Sequence, residues 1–224
     1  MAKYELHDRA IHMRKLGMSY TQIKDELGVS KSTLSGWLQH YPLSPERLKE
    51  LRTNTERQIE RIRDTKSRKR SARLAAVREQ VERGISHLSD REILIAGLFL
   101  YWGEGGKTKP YTTTISNTDP AMLLFFIHWL ELLGVDRNRI RAYVHLYADM
   151  DAEKEVKYWS TTLKLSKNAF RKPHIKNSNR CELTYKQRFS HGTCNIIFDN
   201  RDTAEYVSQA LEVIRARFAQ GINP

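Results

Sequence analysis

Apolar residues along this chain follow three different patterns. Over residues 4–39 they recur every three to four positions in short runs punctuated by glycine. Leu6, Ala10, Ile11 and Met13 lead to a stop at Leu16-Gly17. Ile23 and Leu27 mark a second helix over 21–27, and Leu34, Trp37 and Leu38 line a third. Gly17 suits the residue after a helix C-terminus, Gly28 a turn, and Ser30 an N-cap. This spacing predicts a helix-turn-helix. Over residues 46–83 the apolar stripe of Leu48, Leu51, Ile59 and Ile62 is too sparse for a lasting coiled coil. Helix formers dominate there, with no proline or glycine before Gly84. One long charged helix starting near Ser44 is therefore expected.

The third pattern begins at Ile93. No charge interrupts the chain from there to Gly103, and Glu104 then arrives between glycines. The run is too short to cross a bilayer and reads as a buried helix whose far end presents one carboxylate. Ala96, Leu100 and Gly103 fall at i, i+4 and i+7 on one face, small at both ends, where a second helix can come close. Gly105 and Gly106 end it. Strands and helices then alternate. Strands are expected over 111–117, 140–147, 181–186 and 193–198, with an extended piece at 174–176. Helices are expected over 120–133, 152–163 and 201–218. Pro120 behind Thr118-Asp119 opens the first of these. On the strand over 140–147, Arg141, Tyr143, His145 and Tyr147 share one side.

The expected fold class is α+β. A three-helix helix-turn-helix domain occupies residues 1–45 and a basic helical connector 46–88. A mixed domain with a mainly antiparallel sheet occupies 89–224.

Charge narrows the partner. The formal net charge is +12, which calls for a polyanion. Residues 46–83 carry thirteen lysines and arginines against seven acidic residues, so the connector holds half of that surplus. Its most cationic run contains Arg68, Lys69 and Arg70. A solvated helix laced by i, i+4 ion pairs accounts for such a run, and so does a helix laid across phosphates. No leader pattern or membrane-length segment is found, so a cytoplasmic, nucleoid-associated protein of prokaryotic or phage origin with no membrane partner is expected. Cys181 and Cys194 fit no metal spacing and read as free thiols.

In the third helix Lys31, Ser32, Thr33, Ser35 and Gln39 face outward. A lysine and several hydroxyls near a helix N-terminus suit base edges and phosphates in the major groove. The stretch LGMSYTQIKDELGVSKSTLSGWL is similar to the resolvase and Hin-recombinase class of helix-turn-helix, which implies double-stranded DNA as partner. A trihelical module that contacts only protein is the alternative.

Residues 97–105, GLFLYWGEG, resemble the LAGLIDADG motif of homing endonucleases in a divergent form. Trp102 replaces the motif's earlier acid and Leu98 its alanine. The resemblance implies two such helices packed at a twofold axis, with the last acid of each holding divalent metal at the scissile phosphates. Glu104 would then be the Mg2+ ligand and catalytic residue, and Ala96, Leu100 and Gly103 the dimer helix. SNTDP, HLYADMD and HGTCNIIF resemble bacterial proteins that pair a helix-turn-helix with such a core. In that family the sheet lies in the major groove, which makes Lys107, Lys109, Thr112, Thr114, Arg141, Tyr143, His145, Lys176, Lys186 and Arg188 the candidates here. Lys107 or Lys176 would steady the phosphate during cleavage.

One glutamate holds too little metal, so cleavage requires a homodimer on a roughly palindromic site. Asp119, Asp149 and Asp151 read as cap and loop residues, and His145 and His191 as strand and turn histidines. The expected function is therefore a sequence-specific, homodimeric, Mg-dependent DNA endonuclease. The alternative is a non-catalytic transcriptional regulator on the same scaffold.

Overall fold

The structure, a computed structural model, describes residues 3–51, 54–178 and 190–219. They divide into two units at Ser86–His87. The first opens with α1 (Lys3–Lys15), α2 (Tyr20–Leu27) and α3 (Lys31–Trp37). Ser19 and Gln22 close a capping box at the start of α2, Gly28 ends it at φ +65°, and Ser30 accepts the Thr33 N–H to cap α3. Ala10, Tyr20, Ile23, Leu34 and Leu38 fill the space between the three helices, with Trp37 half-buried against them.

The charged segment is not one helix, contrary to expectation. It breaks into α4 (Pro45–Glu50) and α5 (Asn54–Gly84). Leu51 turns to an extended conformation and buries its side chain, and the Arg57 guanidinium takes the freed carbonyls of Leu51 and Lys49 at 3.0 and 2.9 Å. The start of α5 is thereby held against the trihelical core. Glu60 accepts two hydrogen bonds from the buried Arg14 guanidinium, at 3.0 and 2.7 Å, and a third from the Tyr20 backbone N–H at 3.0 Å. Glu56 accepts from the Ser19 hydroxyl at 2.8 Å.

The second unit runs α6 (Asp90–Glu104), β1 (Gly105–Gly106), β2 (Thr112–Asn117), α7 (Pro120–Leu132), β3 (Arg141–Tyr147), α8 (Ala152–Leu163), β4 (His174–Lys176), β5 (Thr193–Asp199) and α9 (Arg201–Ala219). The strands form a five-stranded mixed sheet in the order β1-β2-β5-β3-β4. Every pairing is antiparallel except β3 with β4, which the intervening α8 makes a parallel crossover. The strand expected over 181–186 lies outside the described residues, and β5 pairs with β2 on one side and β3 on the other.

Alternation along the strands sends Ile115, Ala142, Val144, Leu146, Cys194, Ile196 and Phe198 to one face, where α6, α7, α8 and α9 all pack. At Gly97 the backbone of α6 lies flat on the Trp129 indole, so close that an added Cβ would sit 2.0 Å from the ring. Trp129 in turn donates to the Leu94 carbonyl at 3.1 Å. Among the described residues no helix covers the opposite sheet face, and none is long and apolar enough to cross a membrane.

Candidate nucleic-acid interface

In the first unit, α3 turns a polar side outward. Ser32 and Gln39 are exposed, while Lys31, Thr33 and Ser35 are half-buried. The cap organises the helix start, since the Ser30 hydroxyl lies 2.9 Å from those of both Ser32 and Thr33. On α5, Arg68, Lys69 and Arg70 are all exposed, but Arg68 is paired with Asp64 at 3.0 Å.

In the second unit the sheet face opposite the helices carries Thr112, Thr114 and Ser116 from β2, Thr193, Asn195, Ile197 and Asp199 from β5, Arg141, Tyr143, His145 and Tyr147 from β3, and His174 and Lys176 from β4, with Thr112, Asn195, Ile197 and Tyr147 buried. The His145 ring meets those of Tyr143 and His174 edge-on, each at 5.0 Å. Its own burial, with His174 and Lys176 alongside, lowers its pKa below the ordinary histidine value. Arg141 is tied to backbone, donating to the carbonyls of Asn138 and Ile140 at 2.7 and 3.1 Å. Lys176 lies over the Tyr147 ring at 5.0 Å. In the middle of the face Asn195 is only 3% exposed, and its carbonyl accepts from the Ser116 hydroxyl. Its amide Nδ2 has no hydrogen-bond partner among the described residues.

The end of α6 is built around Tyr101. Burial pushes this phenol's pKa up, and its hydroxyl donates to the Gly106 carbonyl at 2.7 Å. The chain wraps so tightly there that a Cβ on Gly105 would lie 2.3 Å from the Tyr101 ring. Glu104 sits on that wrap, exposed, with no ion-pair or hydrogen-bond partner among the described residues. Lys107 is beside it, its Nζ donating to the Gly105 carbonyl at 2.8 Å. Lys109 is exposed in the turn to β2.

No family model matches this chain, and neither a curated protein nor a solved structure does. The reading of the site rests on these residues alone.

Several expected associations change on the structure. Lys176 is on the opposite edge of the sheet from the strand that follows Glu104. Four strand spacings of about 4.8 Å put it about 19 Å away, too far to act on the same phosphate. Leu100 is half-buried against the core of its own unit. The open side of α6 is formed by Ile95 (41% exposed), Phe99 (45%), Ala96 and Gly103, where an added Cβ would meet nothing. Trp102 stacks on Phe99 and is capped by the Arg215 guanidinium of α9 at 5.3 Å. Asp119 and Asp151 cap α7 and α8 as expected. His191 is bound to Glu155 at 2.7 Å and stacked on Tyr158 at 3.5 Å, a structural anchor for the turn into β5. Cys194 is buried in the core, which raises its thiol to about 12. Cys181, Lys186 and Arg188 lie outside the described residues. Ala96 and Gly103 lie on the open side as the spacing predicts, Leu100 does not, and Ile95 and Phe99, which the small-residue spacing does not mark, complete that side. Asn195 carried a signal in being the one amide within a hydrophobic strand.

Proposed function

We propose that this protein binds double-stranded DNA as a homodimer and cuts it in an Mg2+-dependent reaction, with the recognition helix α3 and the sheet face opposite the helices as its reading surfaces. The observation that carries the reading is α6. An exposed apolar line of Ile95, Ala96, Phe99 and Gly103 runs along this helix and ends at an exposed carboxylate, Glu104, unpaired among the described residues. A second copy packed on that line in twofold fashion brings two Glu104 side chains to one axis. One carboxylate from each copy suits Mg2+, a hard cation that takes one or two carboxylates and completes its shell with water and phosphate oxygens. Bound there, the ion supplies positive charge against the phosphodiester and acidifies water. Glu104 of each copy would hold it, and Lys107, close by in the chain, would turn from the Gly105 carbonyl to the same phosphate. Thr114, Ser116, Tyr143 and His145, the accessible side chains of that sheet face, would offer hydroxyl and ring contacts for base edges.

A non-catalytic DNA-binding regulator is the second reading. It is favoured by Trp102 standing where the motif has its earlier acid, which leaves Glu104 as the lone acid at this helix end. Incubating wild type and Glu104→Gln with a randomised duplex library, with and without Mg2+, separates the two. Cleavage by wild type with Mg2+, lost in Glu104→Gln while binding persists, is the expected result. Binding by both with cutting by neither would leave only the regulator.

A further inference from the structure

We infer that the cleft between α3 and α5 is a grip for the sugar-phosphate backbone, closing on one strand of the duplex whose major groove α3 occupies. The inference rests on the DNA-binding reading above and extends it to a site of its own. The cleft has a volume of about 720 Å³. Ser35 of α3 and Gln39 just past its end stand on one wall, and Lys66, Ser67 and Arg70 of α5 on the other. Ser67, Arg70, Ser71 and Leu74 recur at three- and four-residue steps, so a single face of α5 lines it throughout. The cleft is held in place, because Glu60 is locked to Arg14 and Glu56 to Ser19.

The charges are sorted as a phosphate site requires. Two acids border the cleft and both are neutralised, Glu60 by Arg14 and Asp64 by Arg68. Arg63 is engaged over the Tyr20 ring at 4.3 Å. Lys66 and Arg70 are exposed and have no ion-pair partner among the described residues. Shape leads to the same ligand. A helix with its side chains is about 10–12 Å across and fills a major groove about 12 Å wide, so the two bordering phosphate strands must pass along its flanks. The flank of α3 that faces α5 is this cleft. One strand therefore runs between the hydroxyl and amide of Ser35 and Gln39 and the cations of Lys66 and Arg70, contacts that fix register without reading sequence.

The test compares two double variants of equal charge in the full chain, Lys66→Ala/Arg70→Ala and Arg61→Ala/Arg73→Ala, the second pair being exposed on α5 outside the cleft lining. Binding to a fluorescein-labelled, mixed-sequence duplex is followed by anisotropy across a salt titration. Removing two phosphate contacts makes the slope of log K against log salt shallower by about 1.8, at about 0.9 per contact. The wild-type advantage over the first variant should then narrow about 12-fold between about 50 and 200 mM salt, while the second variant keeps the wild-type slope. Equal losses in both variants, or none in either, would overturn the cleft, since α5 would then act as diffuse charge or not at all. Wild type that binds no duplex removes the whole DNA reading. Loss of binding in Lys31→Ala/Thr33→Ala, neither of which lines the cleft, with the first double variant silent removes the cleft and leaves the DNA reading standing.

Discussion

At His145 the proton balance itself is informative. Burial, followed by His174 and Lys176, holds the imidazole's pKa below its ordinary value of 6.5. The unfolded chain thus takes up a proton near that value, and the folded sheet refuses it until the pH is lower. The stability this site contributes is full above about pH 6.5 and is lost as the pH falls through the folded value. A phosphate laid against the same face acts in the opposite sense, because it favours the charged ring. Duplex binding should therefore tighten as the pH drops from about 7.5 to about 6. His145→Gln, uncharged throughout, should flatten that dependence in anisotropy titrations. A pH profile identical to that of wild type would mean that no phosphate approaches β3.

At the scale of elements, the clamp between α5 and the trihelical core depends on one ion pair. Arg14 and Glu60 leave only 3% and 5% of their side chains exposed. Glu60→Ala strands a buried guanidinium and should cost about 3–5 kcal/mol in denaturant melts. Replacing both partners by apolar residues, Arg14→Met with Glu60→Leu, should cost far less, because no uncompensated charge is left inside. Equal losses in the single and double variants would show that the hydrogen bonds to Tyr20 and Met18, rather than the charge, hold α5. None of this was legible in the sequence. Caps and periodicity announced α1, α2, α3, α7, α8 and α9 almost to the residue, because those signals lie within a few positions of one another. The Arg14–Glu60 pair spans 46 residues, and both partners look like ordinary members of charged surfaces. The same distinction separates Gly97 from Gly103. Spacing marked Gly103 as the place of close approach, yet within one copy the contact falls on Gly97, where only the fold brings Trp129 across. The sheet face over 141–147 was readable from period-two alternation, whereas the distance between Lys176 and Glu104 needed the strand order.

For the whole molecule, the proposal stands or falls on association through α6. Ile95 and Phe99 expose 41% and 45% of their surface on a helix otherwise committed to a core, and Gly103 leaves room for a backbone to come close. Under the proposed association Phe99→Glu would set like charges facing each other across a twofold axis, so in sedimentation velocity wild type should run as a dimer and Phe99→Glu as a monomer, with either unit's fold undisturbed. The two Glu104 carboxylates at that axis repel each other in any metal-free dimer, at several kcal/mol or less depending on how far water is excluded. Mg2+ between them removes the penalty, so adding it should raise the dimer fraction of wild type. Glu104→Gln has no such charge to offset and should dimerise as fully without Mg2+ as wild type does with it. If Mg2+ shifts both proteins equally, or neither, the two carboxylates do not meet. The cutting reading then fails, even where the protein still grips DNA.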